Sequence, residues 1–419
     1  MKYSMFINQV TSLKVLVSLL LILYLSTTAM LMKISNVFLL LLFFIALFNM
    51  SGLKKSLMQV GFFRAFSSVI ILIFILVTVH SLLYLETSFL FSYRYEVFKY
   101  LLIFPIVLYL LWKMQYSSEE LFKIILLTSI YTIFYSIAVL ITDPQRGTGL
   151  LSGPIHLGSL AVVYAMLSLI IFGFAKEKWM RILAIVIFFF GALLSFLSGS
   201  KGGWLAFILV FISIGAYLFL TNRERFKLYF FVCVSMVAVL YFLWDLLPLA
   251  NRLENAYSGL KSYLDGHLTE NSVGARIEIW KAAIIGISGF NVQDLLIGRG
   301  FMSFEGYWSD YINSGLSLYN NPHPHPHNDF LKVMFEFGVL GCLIFALLFW
   351  TPVKYLIASI RYSKTKIPLL FLGIILVEMF LEFMLTDKVI FVKSLLHTYL
   401  FLITLIVFAA YSSKEINCN

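Results

Sequence analysis

The segment Asn321-Pro-His-Pro-His-Pro-His-Asn-Asp329 sets three histidines at alternate positions between prolines, at the edge of a long apolar run. Imidazole titrates nearer neutrality than any other side chain, so His327, at the membrane edge of this run, is placed to take a proton from a hydroxyl group. Each proline biases the residue before it toward extended backbone, so His323, His325 and His327 are expected to point in similar directions. The same residues have plainer uses: adventitious metal binding by alternating histidines, capping of the next helix by Asn328 or Asp329, or a Pro-rich turn.

Three other clusters each carry one fixed positive charge. In Gly274-Ala-Arg276-Ile-Glu-Ile-Trp280 the forked guanidinium of Arg276 suits a diphosphate better than an ammonium would; its plainer uses are a lipid headgroup or an ion pair with Glu278. In Ser198-Gly-Ser-Lys201-Gly-Gly203 consecutive small residues expose backbone donors beside a lone charge, although a tight helical hairpin has the same composition. Gln145-Arg146-Gly-Thr-Gly149, followed by Ser152-Gly-Pro-Ile-His156, adds an Arg in a Gly-rich turn, with His156 at a helix start. Carboxylates are scarce. Asp387 and Asp329 stand near these clusters, each as an ion-pair or capping residue. There is no phosphate-binding GxxxxGK loop, no GxGxxG and no close pair of aspartates, so neither a nucleotide nor a metal cofactor is expected. The isolated Cys233, Cys342 and Cys418 make no disulfide framework or CxxC knuckle.

What must position these residues is a membrane domain. The chain is 61% hydrophobic and 12% charged, with 42 Phe, which excludes both a soluble enzyme and a disordered chain. Apolar runs place about twelve transmembrane helices, at 13–32, 36–50, 67–85, 97–114, 121–141, 156–175, 179–198, 202–221, 226–247, 330–350, 366–385 and 389–411. The first run lacks a cleavage signature and reads as a retained span. With both termini cytoplasmic, short loops hold 18 basic residues inside against 7 outside, as the positive-inside rule requires. The net charge of +10 thereby belongs to membrane topology rather than to nucleic acid. Residues 1–419 form a single membrane domain, with no internal repeat and one long outer loop, 248–329, between the ninth and tenth spans. Within it, Asn251–Leu268 and Ala275–Ile287 have the apolar spacing of amphipathic helices.

All four clusters fall on the same face of the membrane in this topology. Cations around one base, at the mouth of a bundle that a lipid can enter from the side, is the layout expected for a polyprenyl-diphosphate donor.

The ordered set Arg146-Gly-Thr-Gly, Ser-Gly-Ser-Lys201, Gly-Ala-Arg276 with Trp280, Gly298-Arg-Gly300, and Pro-His325-Pro-His327-Asn-Asp-Phe-Leu before Phe-Gly338-Val-Leu-Gly341 resembles the O-antigen ligase and polymerase superfamily. The resemblance runs from about 140 to 345. It implies an all-α polytopic C-type glycosyltransferase of the Gram-negative inner membrane, with its active site facing the periplasm. Such an enzyme transfers glycan from undecaprenyl diphosphate with inversion, without metal or nucleotide sugar. It implies His327 as the residue activating the acceptor, Arg276 and Lys201 as diphosphate ligands with Arg146 sharing that role, and His325, Asp329, Asp387 and Trp280 in support. Lys201 departs from the Arg usual in that turn, and an ammonium lacks the bidentate fork. Length and the single large loop look more like a ligase, which joins O-antigen to lipid A core, than a polymerase, which joins lipid-linked repeat units. A polysaccharide-lipid transporter is the alternative from another class; it would place ionisable residues in mid-membrane and show inverted repeats.

Overall fold

The computed structural model describes residues 2–51, 61–84, 96–142, 154–242, 249–267, 272–319, 321, 325–361 and 366–412. Lipid offers no hydrogen bonds, so an apolar run must satisfy its backbone internally, and these runs are helical. In chain order the helices are α1 (Lys2–Met30), α2 (Met32–Phe48), α3 (Gly61–Tyr84), α4 (Glu96–Lys99), α5 (Phe104–Lys113), α6 (Ser118–Ser129), α7 (Tyr131–Thr142), α8 (Pro154–Phe174) and α9 (Lys178–Ser198). They continue as α10 (Lys201–Thr221), α11 (Arg223–Phe242), α12 (Leu249–Leu264), α13 (Ser272–Ser288), α14 (Val292–Ile297), α15 (Ser303–Asn313), α16 (Asp329–Ile360), α17 (Ile367–Thr386) and α18 (Lys393–Ala410).

Among the described residues ten helical stretches are long and apolar enough to cross a membrane, and the chain is a polytopic, all-α membrane protein. Two of the twelve expected spans are not among these ten. The run 36–50 lies in the short helix α2, and 97–114 is broken into α4, a 3-10 turn at Tyr100–Leu102, and α5. Pro105 explains that break: lacking an N–H, it is accommodated in the first turn of α5 and not inside a longer helix. The run 121–141 is likewise two helices, α6 and α7, meeting at Ile130.

Polar contacts gather at opposite ends of the bundle. At one end Lys14 pairs with Glu120 and Lys123 with Glu177. At the other, Lys393 pairs with Glu96, and the His327 loop meets the end of α17. The centre is α18, which is buried along its whole length.

The long connection between α11 and α16 is more structured than the two expected amphipathic helices. Both appear, as α12 and α13, and α14 and α15 follow them. Leu253, Tyr257 and Leu264 keep more than half of their surface exposed along one stripe of α12, a face suited to the membrane interface. On α13 and α15, Ile279, Ala282, Ala283, Phe304 and Trp308 form a small core of their own against Phe335 of α16.

The expected span 330–350 is the first part of a longer helix, 329–360, with a break in it. Gly338 has φ 60° and ψ −160°, far from helical. The break redirects nearby carbonyls, and Phe335 and Glu336 accept from the backbone N–H groups of Arg299 and Gly300, both at 3.0 Å. The Gly298-Arg-Gly300 motif is therefore the strap that docks the outer loop onto a broken helix.

Candidate active site

Asn328 opens α16: its side-chain oxygen accepts from the Leu331 N–H at 3.0 Å, and its amide donates to the Leu385 carbonyl at 3.2 Å. Asn328, not Asp329, is thus the cap, and it ties the start of α16 to the end of α17. Across this seam His327 Nδ1 lies 3.0 Å from Asp387 Oδ1, an oxygen that also accepts from the Lys388 N–H at 2.9 Å. An Nδ1–H donated to a carboxylate puts the basic lone pair of a neutral imidazole on Nε2. That is the arrangement of a base held by an orienting acid.

His327 has φ 51°, a left-handed conformation uncommon outside glycine and one that needs outside support. Here the expectation from the prolines is corrected. His325 and His327 do not point alike: their ring planes differ by 68°, His325 facing Asp329 and His327 facing Asp387. His325 Nδ1 accepts from the His327 backbone N–H at 2.8 Å, and its Nε2 lies 3.1 Å from Asp329 Oδ1. His323 and Arg146 lie outside the described residues.

Burial, reinforced by the charges of Lys332, His327 and Lys388, pushes the His325 imidazole well below its ordinary value of 6.5. An unfolded chain would bind a proton there as the pH falls through about 6.5, whereas the folded one would not, so this stability is full above that range. Below it, stability should fall by about 1.4 kcal/mol per pH unit until the depressed value is reached. Thermal melting of the wild type and His325→Gln between about pH 7 and pH 5 checks this. The variant should be less sensitive to pH, and equal slopes would show that His325 is not the group responsible.

Arg276 is delivered by α13. One turn further on, Trp280 Nε1 donates to the Pro326 carbonyl at 2.8 Å, pinning α13 against the residue before His327. Glu278, one of the plainer partners offered for Arg276, is fully buried and accepts instead from Tyr263 and Tyr311, with Lys281 alongside. Arg276 reaches Asp387 electrostatically. Burial alone would raise the Asp387 carboxyl, but the hydrogen bond and charge of His327, with the charges of Arg276 and His156, hold it below the usual carboxylate range.

His156 thereby joins the site, having been read from sequence only as a polar residue at a helix start. Its signal was the nearby Arg146 cluster. Lys388 was also missed, although it adjoins Asp387 and its charge acts on both His156 and His325. The Ser198–Gly203 turn comes to the same place. Gly199 is left-handed at the end of α9, Ser200 caps α10 by accepting from the Gly203 N–H, and Lys201 is the first residue of α10. A Cβ on Gly202 would stand 2.5 Å from Thr386 Oγ1, so this turn packs directly beside Asp387.

Below the site an apolar cavity of about 320 Å³ fills the elbow of broken α16, lined by Phe330, Val333, Phe349 and Trp350 with Leu381 and Met384 of α17. The His327–Asp387 pair, the charges of Arg276 and Lys388 and an apolar slot thus share one end of the bundle. This arrangement can bind an anionic lipid head and deprotonate a hydroxyl beside it.

Residues 186–346 match the family model described as O-antigen ligase, a segment running from the middle of α9 past the break in α16. A Haemophilus influenzae protein described as uncharacterized is 23% identical over 214 residues, 49% of this chain and 52% of that protein. The chain therefore spans about half the length of the curated relative it matches. The ligase-family match covers His327, Arg276 and the strap that docks the outer loop, so this part of the chain is similar to the O-antigen ligase family.

Proposed function

We propose that this protein is an O-antigen ligase of the Gram-negative inner membrane, moving O-antigen polysaccharide from undecaprenyl diphosphate to the lipid A core oligosaccharide on the periplasmic face. The carrying observation is the His327–Asp387 pair within electrostatic reach of Arg276 at the edge of the membrane bundle. The excess of basic residues in the other set of short loops supports a periplasmic orientation for this end, with cytoplasmic termini. Residues 1–419 act as one membrane unit, and 248–329 is its periplasmic loop.

In the proposed reaction His327 Nε2 takes the proton of the acceptor hydroxyl as its oxygen attacks the anomeric carbon. The bond from that carbon to the diphosphate oxygen breaks, and the electron pair leaves with the diphosphate. Attack opposite the leaving group inverts the anomeric centre. Asp387 stabilises the imidazolium, and Arg276, with Lys201 and Arg146, neutralises charge developing on the leaving group. Trp280, His325 and Asp329 hold these groups in place. The apolar elbow below supplies lipid-facing room for the start of the polyprenyl tail.

The test is the lipopolysaccharide banding pattern of a strain lacking the protein, complemented with wild type or Arg276→Ala. The reading expects core-only bands from the deletion, a restored ladder from wild type and at least about a hundredfold less capped core from the variant, as for loss of a transition-state cation. Core carrying one repeat unit would make the protein a polymerase. Purified protein that forms no glycosidic bond between lipid-linked donor and acceptor would make it a transporter.

A further inference from the structure

We infer that Asp329 is a positioning residue that locks the two halves of the His327–Asp387 pair to one another. The inference rests on the reading of that pair as the reacting site. Asp329 is fully buried, and its two oxygens serve two different chain segments. Oδ1 faces Nε2 of His325, whose Nδ1 accepts from the His327 backbone N–H at 2.8 Å. Oδ2 accepts from the N–H groups of Val389 and Ile390, at 2.7 and 2.8 Å, in the loop that carries Asp387. The histidine arm and the aspartate arm lie 60 residues apart in sequence, yet one carboxylate closes them into a hydrogen-bonded ring.

The polarity of this ring leaves little choice of side chain. His325 accepts at Nδ1, so its neutral form carries the proton on Nε2 and donates to Asp329. Three donors therefore converge on Asp329, and a carboxylate accepts all three. An amide would turn an NH2 group toward at least one of them. The polar groups around Asp329 from the packed elements are His325, Lys332 one turn further along α16, and Asp387; Lys332 is itself paired with Glu336 at 2.5 Å. The left-handed backbone of His327 is what the ring holds in place. Loosening the ring should misdirect the imidazole without touching Arg276 on α13.

The test uses the full chain in lipid nanodiscs with 15N-labelled histidine, the seven signals assigned by single substitution. In wild type, His325 should show the Nε2–H tautomer and His327 the Nδ1–H tautomer. Asp329→Asn should convert His327 to a mixture of tautomers and lower kcat about a hundredfold, as for a misplaced reacting group, with KM for the lipid-linked donor changed less than about twofold. His325→Gln keeps an amide donor near the Nε2 position for Asp329 but has no acceptor at the Nδ1 position that receives the His327 N–H; it should loosen His327 in the same way and serves if the first variant fails to fold. An unchanged His327 signal in a folded variant would overturn the inference, as would a raised KM with kcat retained. Failure of wild type to transfer glycan would overturn the ligase reading while the tautomer signals still reported on the ring.

Discussion

Replacing His327 by Ala is expected to lower glycan transfer to the acceptor by about 10²- to 10⁴-fold, the range for loss of a positioned base, while the protein stays folded in the membrane. His327 is partly exposed and lies outside the membrane-spanning helices, and after its truncation Asp387 still accepts from the Lys388 N–H. Asp387→Asn should be milder. An amide oxygen can still accept from Nδ1–H, but it carries no charge to stabilise an imidazolium, so kcat falls while donor KM holds. The measurement is initial-rate transfer from lipid-linked donor to acceptor with purified protein at saturating donor. His327→Ala retaining more than about a tenth of the wild-type rate would remove the base role, because a positioned base contributes at least about a hundredfold.

Gly298→Ala should have the largest effect on stability. Gly298 has φ 76° and ψ −178°, a region essentially restricted to glycine, and an added Cβ would stand 2.3 Å from the carbon and nitrogen of the Glu336–Phe337 peptide. Backbone strain of about 1–3 kcal/mol and overpacking of similar size together predict a loss of about 2–6 kcal/mol. Backbone and not a flexible side chain is in the way, so the strap must lift off broken α16 and release the outer loop that brings Arg276 and Trp280. Gly306→Ala is the control: it lies in α15 with nothing within 4 Å of its Cβ, so it should be neutral or slightly stabilising. Thermal unfolding of the two purified variants decides. A Gly298→Ala melting point equal to that of Gly306→Ala would mean that the strap does not hold the loop.

Much of the scaffold was legible in the sequence because lipid imposes a simple rule. An apolar run of sufficient length becomes a helix, and α8, α9, α10 and α17 fall within a few residues of the expected spans. The expectation failed where a local event interrupted a run without changing its hydropathy. Pro105 divides one span, and Gly338 breaks another through a backbone conformation that composition does not reveal. The histidine run was conspicuous, but its geometry was not. Alternating prolines suggested parallel side chains, whereas the Asp329 carboxylate draws His325 one way and Asp387 draws His327 another.

By itself, then, the sequence determined the membrane class, the helical architecture, the gathering of charged clusters toward one set of loops, and the residue types able to act as base and cations. Those follow from hydropathy, charge and local chemistry, each readable within a short window of chain. Only the tertiary structure decided that Asp387 pairs with His327, that His156 and Lys388 join them, that Glu278 belongs to Tyr263 and Tyr311, and that Asp329 bonds to both the His325 and the Val389–Ile390 segments. The physical reason is distance along the chain. A hydrogen bond between residues 60 positions apart leaves no periodicity in either segment, and it exists because α16 and α17 pack their ends together.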